Sequence, residues 1–383
     1  MKTKIALFHP WIKSKGGAER VILEILKDTT FDIDVYTWVY DKEKTFEEFK
    51  NYDIKIIAPR FAQMISRMYL VRGLFLPIAL FSKIPLEKYD KFLISTSGVA
   101  EFITFKNHKP GETYAYVHTP LRAATKEEID WNTKNRYRNF FMKNGYLFAV
   151  WIYKLFEKWS WENLDVVIFN SELSKKRAEN HNLIENKKTY IVYPPVELDT
   201  NIKTSIKNYF LCISRFSKPK RQELLIKVWK IFSQRHPDYD LVMAGSAENQ
   251  KYLDRIKEMI KDIKNIEVKT NLTEKELKDL YGNCLAGIFI SFMEDFGIVP
   301  IEFLSMGKTL LGTEGGYVPL VKGLPQFFKI NEMVNEDLMI KEIVRVMEKF
   351  ISANVKAKKI DFEYLSSDNF RKNINKILKK NEQ

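Results

Sequence analysis

The sequence has few cysteines and no long hydrophobic run. Its two cysteines, Cys212 and Cys284, each lie in an apolar stretch, which argues against a disulfide framework or a cysteine-rich metal site and predicts two buried core residues. The five histidines show no zinc-ligand spacing with each other or with cysteine. No stretch of about 18 apolar residues indicates a transmembrane helix. Residues 1–8 lack the features of a signal peptide, so we expect a cytoplasmic protein.

Two common phosphate-binding motifs are also absent. The chain contains neither G-x-G-x-x-G nor G-x-x-x-x-G-K-[ST], so neither a Rossmann dinucleotide fingerprint nor a P-loop is supported. The formal net charge of +13 favours an anionic partner, which leaves nucleic acid, phosphorylated substrates and anionic membranes open. It equally fits a lysine-rich composition set by an AT-biased genome. No zinc finger, RNA-binding motif or base-reading basic helix is recognisable, so nucleic acid is disfavoured.

Strand-like runs alternate with helical stretches along all 383 residues. The alternation predicts parallel sheets covered by helices, and the chain length favours two domains. We place the boundary at the Pro194-Pro195 pair and the polar stretch after it, giving domains at 1–200 and 201–365. We expect a C-terminal helix at 366–383 that packs back towards the first domain. The predicted strands are 4–9, 33–38, 91–95, 113–117, 166–170, 190–193, 209–214, 239–244, 267–269 and 285–290.

The strongest local motif follows the last of these strands and runs from Glu294 to Glu302. Pro300 suits a first helical turn, so Glu302 falls early in a helix and Glu294 in the loop before it. Phe296, Gly297 and Ile298, which lie between the two glutamates, present backbone amides near the positive end of that helix and predict an anion site. Alternatively, the acidic residues only complement the helix dipole and cap the helix.

A basic loop follows the first strand of the second half. Arg215 offers a guanidinium fork and Lys220 a mobile point charge, a combination suited to a diphosphate. An isolated basic cluster is more often a solvated loop. Because ligands of doubly wound sheets bind beyond the carboxyl ends of the strands, its position favours a binding role.

Two further candidates follow strands of the first half. Gly16 and Gly17 lie between a strand and a helix, where a glycine pair is either a ligand-binding loop or a tight turn. His118 comes directly after the strand 113–117. A lone histidine is more often structural, but one at the carboxyl end of a strand is well placed for a site.

In combination these motifs resemble those of the retaining glycosyltransferase family 4, and especially its mannosyltransferase branch. The resemblance covers almost the whole chain. It implies the α/β GT-B fold, in which two doubly wound Rossmann-like domains face a central cleft. The matching segments are Glu294-x7-Glu302, the pair Arg215 and Lys220, the loop Gly16-Gly17, His118-Thr119-Pro120-Leu121-Arg122, Phe169-Asn170-Ser171 and Tyr193-Pro194-Pro195-Val196.

The resemblance also implies roles for these residues. Glu294 would contact the transferred sugar and Glu302 the donor ribose, while Arg215 and Lys220 would bind the diphosphate. Gly17 would approach the phosphates from the opposing domain, and His118 would lie beside the sugar. The implied reaction retains anomeric configuration and needs no metal or other cofactor. GDP-mannose is the expected donor, with UDP-glucose or another UDP-hexose as the alternative. For the function of the whole chain, a non-catalytic sugar-binding module is a further alternative.

Two departures from the family pattern are visible. Pro319 stands where an acidic residue often follows the Gly315-Gly316 pair, and Arg221 stands where many members have glycine. Neither position carries an assigned catalytic role.

Two aromatic and basic segments predict either membrane contact or buried helices. Residues 61–83, preceded by Arg60, combine apolar side chains with several cations, and residues 137–161 are rich in aromatics. Membrane contact would bring a lipid-linked or other glycan acceptor within reach, with the protein peripheral at the inner face of an anionic membrane. For residues 137–161 burial is the favoured interpretation.

Overall fold

The computed structural model describes residues 2–58, 75–120, 125–196, 205–247, 249–353 and 355–379. The chain forms two compact units, one of residues 1–195 with 367–383 and the other of residues 196–366. The boundary predicted at residue 200 falls in 197–204, outside the described residues. None of the helices in the described ranges is long and apolar enough to cross a bilayer.

The first unit is built on a parallel sheet of seven described strands in the order β5-β3-β1-β6-β7-β8-β9. The first strand, β1, lies in the middle of this sheet. Successive strands are added on one side of it up to β5 and on the other side from β6 onwards, so the strand order reverses between β1 and β6. A small separate pair is formed by β2 and β4. The strands are β1 (Lys4–Phe8), β2 (Trp11–Ile12), β3 (Asp32–Thr37), β4 (Val39–Tyr40), β5 (Ile54–Ile56), β6 (Lys91–Thr96), β7 (Thr113–Val117), β8 (Val166–Phe169) and β9 (Lys188–Ile191).

The second unit repeats the arrangement with six described parallel strands in the order β12-β11-β10-β13-β14-β15. Here the reversal lies between β10 and β13. The strands are β10 (Tyr209–Ile213), β11 (Asp240–Ala244), β12 (Ile266–Lys269), β13 (Ala286–Phe289), β14 (Thr309–Gly312) and β15 (Phe327–Lys329).

Helices connect the strands of both sheets. In the first unit they are α1 (Gly17–Leu26), α2 (Phe75–Phe81), α3 (Lys126–Asn135), α4 (Phe140–Glu162), α5 (Glu172–Asn180) and α12 (Ser367–Lys379). In the second unit they are α6 (Gln222–Arg235), α7 (Gln250–Ile260), α8 (Glu274–Asn283), α9 (Ile298–Ser305), α10 (Val318–Val321) and α11 (Glu336–Ser352). The final helix, α12, packs against α1, where Arg371 forms an ion pair with Glu24.

Both faces of the first sheet are covered, which explains why its central strands β1, β6, β7 and β8 are buried along almost their whole length. Ile5 and Leu7 point into one buried cluster and Ala6 and Phe8 into the other. This is the pattern expected of parallel strands between two layers of helices. Cys212 and Cys284 are buried free thiols, as predicted.

The predicted strands agree with the structure to within two residues at each end. The strands that the pattern did not predict are β2, β4, β5, β14 and β15, which have two to four residues each. The four segments of two or three residues, β2, β4, β5 and β15, carry too few residues for a periodic signal.

The structure describes the second aromatic segment, residues 137–161, but only a small part of the first, residues 61–83. Most of residues 61–83 lies in 59–74, outside the described residues. In the remainder, Ile78 is buried in the core and Phe81 is exposed. The favoured interpretation of residues 137–161 as a buried helix is wrong for one side of α4, because Phe148, Trp151 and Trp159 on that side are exposed. The 23-residue helix α4 packs only one of its faces against the rest of its unit, and the other face remains in solvent.

Candidate active site

The two loops with the strongest motifs meet at the strand-order reversal of the second sheet. One loop, residues 214–221, follows β10 and the other, residues 290–297, follows β13. The Phe292 backbone amide donates to the Pro219 carbonyl at 2.8 Å and ties the loops together. Crevices outside the carboxyl ends of strands at such a reversal are where ligands bind in open α/β sheets.

An ion pair between Lys220 and Glu294 lies at the centre of this site. The Lys220 Nζ atom donates to Glu294 Oε2 at 2.6 Å, and each side chain is about one-fifth exposed. The same ammonium lies 5.7 Å from the centroid of the Phe289 ring. Lys220 is therefore held beside the loop that the resemblance assigns to the sugar, although 74 residues separate the two side chains along the chain.

Three contacts shape the loop after β10. Gln222, which opens α6, donates from Nε2 to the Ser214 hydroxyl and to the Arg215 carbonyl, both at 2.9 Å. The Phe216 amide donates to the Ser246 carbonyl at 2.8 Å. These bonds fix the loop while the Arg215 residue itself stays exposed to solvent. Arg215 thus lies just beyond the carboxyl end of β10, where ligands of such sheets bind.

Arg221 has a left-handed backbone with φ of 58°. This conformation disfavours residues with a Cβ and favours glycine. Here the Arg221 guanidinium donates to both carboxylate oxygens of Glu332 at 2.8 and 3.0 Å. It also lies 4.9 Å from the centroid of the Phe292 ring. These contacts offset the backbone strain and pair this cation of the basic loop with a carboxylate and an aromatic ring.

Gly297 controls the turn that leads into α9. Its φ of 95° lies in the left-handed region, and a Cβ there would come within 2.7 Å of the Tyr317 ring. Phe296 is buried, whereas Ile298 begins the helix and is partly exposed. The Glu294 carbonyl accepts from the Gly316 amide at 3.2 Å. The turn thus places the amino end of α9 next to Glu294, and the positive end of a helix favours an anionic ligand.

Glu302 lies in α9 and accepts a hydrogen bond from the Tyr281 hydroxyl of α8. The two glutamates of the motif therefore have different partners, Lys220 for Glu294 and Tyr281 for Glu302. Tyr281 was not predicted from the sequence, because its helix precedes β13 and only the fold brings it against α9.

The first unit has a polar cluster at its own strand-order reversal. Ser95 Oγ in β6 lies 3.0 Å from His9 Nδ1 and 2.8 Å from His118 Nε2. Burial lowers the pKa of His9 to about 4, and burial with the proximity of His9 lowers the pKa of His118 to about 3. Both imidazoles are therefore neutral near pH 7. His9 directly follows β1, so the strand-end rule that selected His118 also applies to it, but Ser95 inside a strand gave no such signal.

A buried carboxylate lies near this cluster. Glu101 accepts a hydrogen bond from the Thr96 hydroxyl, which follows Ser95. Burial and the proximity of Glu157 in α4 raise the pKa of Glu101 to about 7. No motif indicated this pair of acids, because 56 residues separate them and only packing brings them together.

The glycine loop lies at the amino end of α1. Gly17 opens the helix and Gly16 caps it with an extended backbone. A Cβ on Gly16 would lie 2.5 Å from a Glu19 carboxylate oxygen, and Glu19 also accepts from the Ser14 hydroxyl at 2.6 Å. In the described part of the chain no group of three or more His, Cys, Asp or Glu side chains is arranged to hold a metal ion.

Comparisons with known proteins agree with this architecture. Residues 198–359 match the family model of glycosyl transferases group 1. The chain is 24% identical to the alpha-1,3/1,6-mannosyltransferase ALG2 of Dictyostelium discoideum, with 98% of each chain covered. It is 24% identical to the GDP-Man:Man(3)GlcNAc(2)-PP-Dol alpha-1,2-mannosyltransferase of Mus musculus, covering 82% of this chain and 73% of that protein. Anabaena HepE in complex with UDP-glucose has a similar fold, with a TM-score of 0.66, 16% identity and coverage of 98% and 99%.

Proposed function

We propose that the chain is a retaining family 4 glycosyltransferase of GT-B fold, which transfers mannose from GDP-mannose to a lipid-linked or other glycan. The observation that supports this most strongly is the contact between Lys220 and Glu294 at the strand-order reversal of the second sheet. It brings a cation for the diphosphate and a carboxylate for sugar hydroxyls into one place.

In the proposed reaction the bond between the anomeric carbon of the sugar and the diphosphate oxygen breaks. A hydroxyl oxygen of the acceptor forms the new bond on the same face, and its proton passes to the departing phosphate oxygen. Lys220, Arg215 and the amino end of α9 stabilise the negative charge that grows on the diphosphate. On donor binding the Lys220 ammonium exchanges part of its contact with Glu294 for the phosphate, which leaves Glu294 able to accept from the sugar.

Glu302, oriented by Tyr281, is the proposed ligand of the donor ribose. Gly16 and Gly17 are the proposed phosphate contacts from the first unit, and neutral His118 the proposed contact to the sugar. A neutral imidazole suits that role because it exchanges hydrogen bonds with hydroxyls without adding charge.

The choice of mannose and of a lipid-linked acceptor rests on the relatives. Those in Dictyostelium discoideum and Mus musculus are named mannosyltransferases, and the name of the second contains GDP-Man and PP-Dol. From these names and the net charge of +13 we infer a peripheral enzyme at the cytoplasmic face of an anionic membrane.

We also propose that no metal ion is needed. The Asp-x-Asp pairs at 32–34 and 238–240 lie at the amino ends of β3 and β11. The loops described above follow the carboxyl ends of strands, so these pairs are at the opposite end of each sheet. Fixed cations then carry the electrostatic stabilisation of the leaving group. Full activity in excess EDTA is the expected result, and activity that returns only with added Mn²⁺ or Mg²⁺ would overturn this part of the proposal.

Calorimetric titration of the purified protein with GDP, UDP, GDP-mannose and UDP-glucose tests the donor. We expect GDP and GDP-mannose to bind more tightly than the uridine compounds, and a synthetic lipid-linked glycan to receive an α-linked mannose. Preferred binding of UDP-glucose would replace mannose with glucose in the assignment. Binding of no nucleotide would contradict the transferase assignment of the site.

A further inference from the structure

Helix α4 has an exposed aromatic face. Phe141, Phe148, Trp151, Leu155 and Trp159 follow one another at intervals of seven, three, four and four residues, which places them on one side of the helix. Phe141 is 82% exposed, Phe148 61%, Trp151 56% and Trp159 52%. Almost half of the large exposed apolar side chains in the described part of the chain belong to this one helix. A contiguous apolar surface of this kind usually marks an interaction site.

The opposite side of α4 already anchors the helix to its own unit. Tyr153 packs against Phe102 with ring centroids 5.7 Å apart, and Phe156 packs against Phe105 at 6.0 Å. Trp161 is fully buried. The aromatic face is therefore not needed for the packing that holds α4 in place. Within this face, Phe148 and Trp151 stack with ring centroids 5.9 Å apart.

Basic residues border the aromatic face. With about 100° of rotation per residue, Lys143, Lys154 and Lys158 fall along one margin of it, and all three are exposed. The helix has two carboxylates: Glu157 is buried on the opposite side, and Glu162 is the last residue. Aromatic rings beside lysines suit the headgroup region of a bilayer, where rings enter the acyl boundary and lysines meet anionic phosphates.

We propose that the aromatic face of α4 lies in the interface of an anionic membrane, with the helix axis parallel to the bilayer surface. Charge complementarity favours this occupant over a second copy of the chain, since two copies meeting through this face would bring their lysine margins together. The proposal deepens the proposed function, because it assigns the membrane contact to the unit that contains His118.

Vesicle flotation tests the proposal with the full chain. The wild-type protein should float with vesicles that contain anionic phospholipid, bind zwitterionic vesicles far less, and be released by salt. Replacing Phe148, Trp151 and Trp159 with serine should abolish flotation. Lys154→Glu with Lys158→Glu should weaken binding by at least about tenfold.

A matched control removes three exposed apolar side chains from the second unit by Ile206→Ser, Val334→Ser and Tyr364→Ser. This variant should float like the wild-type protein. Melting curves check that each variant is folded. If the serine variant of α4 does not fold, the lysine variant decides the question, because Lys154 and Lys158 are exposed residues.

Three results would overturn the proposal. One is a wild-type protein that does not bind anionic vesicles, and another is a folded α4 variant that binds them like the wild-type protein. The third is a wild-type dimer in solution that the serine substitutions dissociate, without vesicle binding. Titration of the same proteins with GDP separates this question from the proposed function, since nucleotide binding depends on the second unit and should survive every α4 substitution.

Discussion

Replacing Lys220 with alanine should remove most transfer activity and cost little stability. The ammonium lies 2.6 Å from Glu294 Oε2, and the two side chains are each about one-fifth exposed. Loss of one preorganised charge that faces a developing anion costs about 2 to 4 kcal/mol in the transition state. At about 1.4 kcal/mol per tenfold, kcat/KM should fall roughly 30- to 1,000-fold.

The effect on folding is expected to be smaller. Exposed ion pairs contribute about 0 to 1 kcal/mol, whereas removing one partner of a fully buried pair costs about 3 to 5 kcal/mol. Glu294 keeps contact with water after the substitution, so we expect a loss near the lower end, about 1 kcal/mol. For a unit of this size that corresponds to a drop of roughly 2 to 4 °C in Tm.

The assay is initial-rate kinetics with the donor varied, together with a melting curve. Lys218→Ala is the matched control, because Lys218 is an exposed lysine in the same short helical turn. It should change kcat/KM less than about threefold, as expected for an exposed charge. Lys220→Arg should recover part of the activity, since it keeps the charge but not the geometry. Wild-type turnover by Lys220→Ala, or an equal loss in Lys218→Ala, would refute the assignment of Lys220 to the leaving diphosphate.

Three further substitutions probe the supporting structure. Gly297→Ala should destabilise the protein by about 1 to 3 kcal/mol more than Gly323→Ala, because both glycines have a left-handed φ but only the Cβ at 297 meets a buried ring; equal melting temperatures would contradict this. Tyr281→Phe removes the hydroxyl that orients Glu302 and should weaken GDP binding severalfold at unchanged stability, whereas unaltered affinity in calorimetry would exclude the orienting role. The Glu101→Gln variant should become more stable relative to the wild-type protein as pH rises from about 4.5 to 7. In the wild-type protein the folded state keeps a proton on Glu101 up to a higher pH than the unfolded chain does, so the wild type loses stability over this range and the variant does not. Melting curves at pH 5 and pH 8 measure that difference, and a difference that does not change with pH would argue against a raised pKa.

Local sequence determined the elements and the motif positions. Ten strands were predictable because β1, β10 and similar strands are continuous apolar runs bounded by polar residues, a pattern that depends only on neighbours in the chain. The spacing of Glu294, Pro300 and Glu302 likewise fixes a loop followed by a helix. Chain order then predicted that residues after strand ends gather at one edge of each sheet.

Tertiary structure decided which side chains meet and which faces remain open. Lys220 and Glu294 form an ion pair because β10 and β13 are neighbours, and strand order is not encoded in either motif. Ser95 links His9 to His118 for the same reason. In α4 the aromatics are so frequent that hydrophobicity alone cannot separate the packed side from the exposed one. The packing of Tyr153 and Phe156 against the segment Ala100–Phe105 settles that choice, because a helix can bury only the face that its neighbours cover.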